Sequence, residues 1–157
     1  RPAVPGLRLT RGVSTFVPQA HPPFQGQPVR TEAEKRLQRL AKLLTPKGIE
    51  LRPESYGWIV IQALLSRGDR RLAPVIAAVR SAPSSLGSWK RAYREAQASH
   101  GLPAPPAWSD LVHGVWSAET VLPWQHLRGP LPPATLRQHH DDALATYGSC
   151  ASPSAVA

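Results

Sequence analysis

The distribution of proline constrains this chain more than any other feature of its sequence. Eighteen of the 157 residues are proline, and they cluster at the two ends and between residues 103 and 133. Because proline fixes φ and lacks a backbone N–H, helices and central strands must lie between these clusters. The sequence therefore predicts a folded middle with extended borders, long enough for one domain with a modest core.

The first folded segment has the pattern of a strand followed by a helix. Residues 9–17 alternate and are rich in β-formers, which predicts a strand that ends at Pro18 and a loop as far as Pro28. Thr31 and Glu34 form a capping-box pattern and predict a helix that ends before Pro46. Its apolar stripe comprises Leu37, Leu40, Ala41 and Leu44.

The rest of the chain has mainly helical patterns. After a short strand or extended segment at 49–52, we predict helices over 54–66, from Asp69 as N-cap to Arg80, and from Ser85 or Ser88 to Gly101. Pro74 is expected to distort the first turn of the second of these helices. A proline linker at 103–107, helical turns around 110–119 and a last helix over 133–147 follow.

These elements predict an α/β fold: one βα unit in residues 1–52, a helical extension in 53–147 and a disordered tail in 148–157. The isolated chain is expected to be predominantly α-helical. A single apolar strand followed by a helix normally belongs to a parallel sheet with further strands. The chain also begins with arginine and has no methionine, so we expect an excised or incomplete polypeptide.

Charge and composition narrow the possible environments. The net charge is +9, which fits either a solvated basic surface or a polyanionic partner such as RNA or an acidic neighbouring domain. No stretch reaches the ~20 apolar residues of a membrane span. The single cysteine, Cys150, can form no internal disulfide, and a cytoplasmic location is expected.

Two segments carry candidate binding residues. The loop after the first strand contains His21, a candidate ligand or base, although its prolines and phenylalanines equally fit a rigid structural loop. Arg67, Arg70 and Arg71 surround a helix junction, where they either form a cationic corner for phosphate or carboxylate or simply flank a turn.

The sequence contains no recognisable catalytic constellation. One cysteine cannot hold an iron–sulfur cluster or a zinc ion, and there is no phosphate-binding loop or nucleophile elbow. The run His139-His140-Asp141-Asp142 cannot converge on one ion, because neighbours on a helix point about 100° apart. No metal site is predicted.

Four segments, in order, resemble a family of radical S-adenosylmethionine (radical-SAM) proteins that carry an amino-terminal cobalamin-binding domain, especially its cyanobacterial members. They are Val13-Ser14-Thr15-Phe16-Val17-Pro18 with His21-Pro22-Pro23-Phe24-Gln25, then Ser66-Arg67-Gly68-Asp69-Arg70-Arg71-Leu72, Leu86-Gly87-Ser88-Trp89, and Leu122-Pro123-Trp124-Gln125-His126-Leu127. The resemblance spans residues 9–131. The chain differs from the family at His21-Pro22-Pro23, where a threonine often precedes the proline.

The resemblance implies a parent enzyme that cleaves S-adenosylmethionine at a [4Fe-4S] cluster, with cobalamin as a further cofactor if its domain is present. Residues 1–52 would be the last βα unit of the partial (β/α) barrel, and Phe16, Val17 and Pro18 would line the adenosyl pocket. Arg67, Arg70 and Arg71 are the preferred candidates for contact with a polyanionic substrate, and His21 is a further candidate substrate-binding residue. The cluster-binding cysteines are absent, so the chain itself would hold no cofactor and be inert without the amino-terminal part of the same protein.

Two other functions fit the sequence. The chain could be a stand-alone basic module that binds RNA or another polyanion. It could also be an interaction segment that docks on a partner through Trp108, Trp116 and Trp124.

Overall fold

The computed structural model describes residues 8–99 and 103–150, the last three by their backbone alone. Two strands, β1 (Leu9–Val13) and β2 (Ile49–Pro53), flank helix α1 (Ala33–Leu44). Four further helices follow: α2 (Tyr56–Arg67), α3 (Ala73–Val79), α4 (Leu86–Ala98) and α5 (Pro133–Cys150). The described chain is therefore mixed α/β, and helices predominate.

The two strands form a parallel pair. Leu9 aligns with Ile49 and Val13 with Pro53, so α1 is the crossover of a βαβ unit. The segment predicted at 49–52 as a short strand or extended stretch is the strand β2, and its pairing with β1 shows that the prediction of a lone strand was wrong. The first strand is also shorter than predicted, since the pairing stops where Pro53 ends β2. The described residues form this two-stranded sheet, and the barrel remains a prediction.

Helix α1 begins later than its capping-box pattern predicts. Its N-cap is Glu32, which makes no side-chain capping bond, and Thr31 lies in the preceding turn. The predicted cap at Thr31 is therefore wrong. A 3-10 turn, Thr45–Lys47, follows α1, and Gly48 then adopts a left-handed φ of 74° to lead into β2.

The other helix starts follow their capping signals more closely. Asp69 accepts a hydrogen bond from the N–H of Arg71 and caps the 3-10 turn Arg70–Leu72, and α3 starts directly after it with Pro74 in its first turn. Ser85 caps α4 by accepting from the N–H of Ser88. The predicted end of α4 at Gly101 lies outside the described residues.

The hydrophobic core lies among α2, α3, α4 and the segment around residue 111. Its members are Val29, Ile59, Val60, Ala63, Leu64, Leu72, Val75, Ala92, Tyr93, Leu111 and Val112. No residue of β1, α1 or β2 belongs to this core, so the βαβ unit packs beside the helical body.

The proline-rich segment after α4 is part of the folded body. Pro105 is buried, and the carbonyl of Pro106 accepts a hydrogen bond of 2.6 Å from the hydroxyl of Tyr93. The helical turns predicted around 110–119 correspond to one π-helical turn, Ser109–His113. Helix α5 continues past its predicted end at 147 to Cys150, and residues 151–157 lie outside the described part. No helix in the described part has the length and apolarity needed to cross a bilayer.

Candidate functional site

The loop after β1 separates the three residues predicted to line an adenosyl pocket. Pro18 is buried, and its carbonyl accepts a 2.6 Å hydrogen bond from the hydroxyl of Ser66 at the end of α2. Val17 is half-buried against the core. Phe16 is 47% exposed and meets the ring of Phe24 edge-on, with centroids 6.3 Å apart. Of the three, Phe16 alone presents a large free surface.

His21 holds an unusual backbone conformation in the same loop. Its φ of 70° is left-handed, which is uncommon for a residue other than glycine. Its N–H donates to Oε1 of Gln25 at 3.1 Å. Its ring lies so close to Gly129 that a Cβ there would be 2.6 Å from Nδ1. The geometry fixes His21 in the wall of a cleft, next to the segment around residue 129.

Arg67, one of the predicted substrate contacts, is fully buried at the end of α2. Its guanidinium donates to the carbonyls of Gln27 at 3.3 Å and Gly114 at 2.9 Å, with a longer bond of 3.5 Å to Val112. It also stacks 3.8 Å from the ring centroid of Trp116. Burial lowers the pKa of Arg67 to about 10. This side chain joins the loop after β1 to the segment around residue 114.

The other two arginines face different surroundings. Arg71 forms an ion pair of 2.8 Å with Asp69, and hydrogen bonding to Arg71 lowers the pKa of that carboxyl. Arg70 is exposed. The three arginines therefore do not converge on one cationic surface: one is buried, one is paired and one faces solvent.

A cleft of about 830 Å³ opens beside Trp116, the ring on which Arg67 stacks. Its walls are the loop around His21, the segment from residue 115 to 132 and the first turns of α5. This volume lies within the range of small-molecule sites. Its charged lining residues, Glu119, Arg128, Arg137 and Asp141, include both signs, and the nearby Arg137 contributes to a lowered pKa of Glu119, after the larger effect of a hydrogen bond with Ser117.

Two glutamines and His140 fix the inner wall of the cleft. Oε1 of Gln25 accepts a 2.9 Å hydrogen bond from the indole N–H of Trp124. Nε2 of Gln27 lies 3.2 Å from Nε2 of His140, whose Nδ1 is 2.9 Å from Asp141. The His140 ring also packs against Phe24, with centroids 5.3 Å apart. These contacts tie α5 to the loop after β1.

The described residues contain no cluster of three potential metal ligands. In the run from His139 to Asp142, His140 alone turns toward the body of the protein, while the other three are exposed. The prediction that this run holds no metal stays a prediction.

The three tryptophans of the proposed interaction segment pack within the chain. Trp124 is buried and lies 6.0 Å from Trp116, and Trp108 meets Tyr93 edge-on at 5.1 Å. Trp124 is thus buried whereas Trp108 and Trp116 are half-buried, and docking of a partner through these residues stays a prediction. Sequence reasoning missed Trp116, Gln27 and His140 as parts of the site, because their contacts join segments far apart in the sequence and leave no local pattern.

Comparison of the chain with protein-family models, with curated proteins and with solved structures finds no match in any of the three.

Proposed function

We propose that this chain is the carboxy-terminal part of a radical-SAM enzyme of the cobalamin-binding-domain family, and that it is inert without the remainder of that enzyme. In this proposal the βαβ unit continues the parallel sheet of the partial barrel, and the helices after residue 53 form its extension. The observation that carries the proposal is the exposure of the two-stranded parallel sheet.

Parallel sheets are normally covered on both faces and contain several strands. In the described residues, β1 pairs with β2 on one edge only. One face carries the half-buried Val13, Ile49 and Leu51. The opposite face is polar: it carries the exposed Thr10 and Gly12 together with the ion pair between Glu50 and Arg52. The free edge, rather than this polar face, suits a sheet that continues into further strands.

Contacts between the family-like segments support the same proposal. The hydroxyl of Ser66 donates a hydrogen bond to the carbonyl of Pro18, and the guanidinium of Arg67 donates to that of Gln27. The indole N–H of Trp124 donates to the side chain of Gln25. Three of the four segments that carry the resemblance thus meet around the loop after β1. Segments whose side chains depend on one another are expected to occur together in a family.

The cluster itself has no site in this chain. A [4Fe-4S] cluster needs cysteine thiolates, and the sequence has a single cysteine. Its ligands would come from the amino-terminal part of the parent enzyme. Of the residues present, Phe16 is the one available to pack against the adenosyl group, whereas Val17 and Pro18 fix the loop that presents it.

The first experiment is to read the coding sequence upstream of Arg1. We expect a continuous frame that encodes a Cys-x-x-x-Cys-x-x-Cys loop. The whole protein, reconstituted without oxygen, should release 5′-deoxyadenosine from S-adenosylmethionine. A start or stop codon directly before Arg1 would refute the proposal.

A matched pair of variants tests the role of Phe16 in the whole protein. Phe16→Ala should weaken binding of S-adenosylmethionine, whereas Leu43→Ala, which removes a similarly exposed side chain on α1, should not. Equal affinities of the two variants for S-adenosylmethionine would show that Phe16 does not line the adenosyl pocket. The assignment of the parent enzyme would then still be decided by the upstream coding sequence.

A further inference from the structure

Helix α1 has two faces of opposite character. Leu37, Leu40, Ala41 and Leu44 are half-buried, and α1 packs against β2. Lys35, Arg39 and Lys42 are exposed. At about 100° per residue, these three cations lie within roughly 60° of one another, on the side opposite the apolar stripe. We call Lys35, Arg39 and Lys42 the basic face.

The basic face is the centre of a wider concentration of positive charge. Residues 8–52 contain nine lysines and arginines but only three acidic residues, so most of the net charge of +9 lies in the βαβ unit. All nine side chains are exposed. The ion pairs found in the described part of the chain are Glu50–Arg52, Asp69–Arg71 and His140–Asp141, and none uses the basic face.

We propose that the basic face of α1 binds the phosphate backbone of single-stranded RNA. From Lys35 to Lys42 the helix rises about 10 Å, which is enough for its cations to meet successive phosphates. Lysine and arginine side chains without aromatic neighbours on this face would contact phosphates rather than bases, so the binding is independent of sequence.

A lipid surface fits this face less well. Amphipathic helices that bind membranes insert their apolar side among the lipids. The apolar side of α1 is turned toward β2, and separating it would break up the βαβ unit. A ligand that needs only charge, presented along an extended backbone, matches what α1 offers.

This inference does not depend on the enzyme proposal. Further strands would join the sheet at its free edge, whereas the basic face points away from the sheet. Strands added to the sheet would therefore not cover the cations on α1, which are exposed in this chain.

The test is fluorescence anisotropy of a labelled single-stranded RNA, titrated with the protein at several salt concentrations. One variant combines Lys35→Gln, Arg39→Gln and Lys42→Gln. The matched control combines Lys90→Gln, Arg91→Gln and Arg94→Gln on α4, which removes the same charge from exposed positions. Glutamine is a good helix former, so both variants should fold, and circular dichroism would verify this.

We expect the α1 variant to bind roughly tenfold or more weakly and its slope of log affinity against log salt to shrink by about 2, since each phosphate contact contributes about 0.7. The α4 control should keep a slope near that of the unmodified protein. Equal losses in the two variants would show that net charge alone matters and would overturn the proposal. Absence of binding at low salt would also overturn it, as would charge-dependent binding to anionic phospholipid vesicles without binding to RNA.

Discussion

Arg67 illustrates how a single side chain can hold distant segments together. Its guanidinium links α2 to the carbonyls of Gln27 and Gly114, and its Cζ lies over the ring of Trp116, 3.8 Å from the centroid. A buried cation with carbonyl acceptors and an aromatic face is a structural arrangement, and it leaves little of the guanidinium free for a ligand.

We expect Arg67→Met to lower the free energy of unfolding by about 3–5 kcal/mol, because the buried carbonyl of Val112 and the half-buried carbonyls of Gln27 and Gly114 lose a charged donor. The measurement is urea denaturation. Arg70→Met is the matched control, since Arg70 is the exposed neighbour and should change stability by less than about 0.5 kcal/mol. If both variants lost equal stability, Arg67 would not have the structural role described here.

The phenol of Tyr93 is expected to make the free energy of unfolding depend on pH. Burial raises the pKa of its phenol from 10.0 to about 12, and its hydroxyl donates to the carbonyl of Pro106. Between these values the unfolded chain loses the proton while the folded chain keeps it. The free energy of unfolding should therefore fall as pH rises through this window, by on the order of 2–3 kcal/mol, and the contribution is complete below 10.0.

Urea denaturation at increasing alkaline pH, with Tyr93→Phe as the reference, isolates this contribution. The phenylalanine variant keeps the ring in the core and has no proton to lose, so its stability should fall less steeply across the window. Parallel pH profiles for the two proteins would mean that the Tyr93 phenol ionises as readily when folded as when unfolded.

At the scale of elements, the start of α4 depends on one capping residue. The hydroxyl of Ser85 accepts from the N–H of Ser88 at 3.2 Å. Ser85→Ala should therefore cost about 1 kcal/mol, and Ser85→Asp, another capping side chain, should largely preserve stability. Thr31→Ala should cost less than about 0.5 kcal/mol, because α1 has no side-chain cap. The free energies of unfolding of the three variants are compared by urea denaturation. A loss of stability larger than this for Thr31→Ala would indicate that Thr31 caps α1 after all.

Periodicity and local caps predicted most helices, because those signals act within a few residues. Asp69 and Ser85 were identified as caps in this way. The pattern at Thr31 failed because the residues from 31 to 32 form a turn and the helix begins at Ala33. The pairing of β1 with β2 was missed because it joins residues about forty positions apart, and neither strand encodes its partner locally.

For the whole molecule, the sequence identified the loop after β1 but not what surrounds it. The cleft brings His21 beside Gly129 and Gln27 beside His140, contacts that span more than a hundred residues of sequence. The three arginines do not form a single site for a related reason. Burial separates Arg67 from Arg70, although only three positions divide them, and burial is a property of the packed chain.

The position of the core predicts an uneven distribution of stability. Core residues come from Val29, α2, α3, α4 and the segment around 111, and in α5 Leu136 is buried whereas residues 141–147 are exposed. Amide hydrogen exchange should therefore be slowest in α2 and α4. It should be faster in β1, β2, α1 and the second half of α5, which can open locally without disrupting the core.

Hydrogen exchange at the backbone amides of β1 also tests the proposal that the sheet continues into further strands. In a longer protein the free edge of β1 would pair with another strand, and its amides should become more protected, while those of α2 change little. If the amides of β1 that pair with β2 were already as protected as those of α2 in this chain, the two-stranded sheet would be stable by itself. The exposed edge would then no longer argue for a missing part of a barrel.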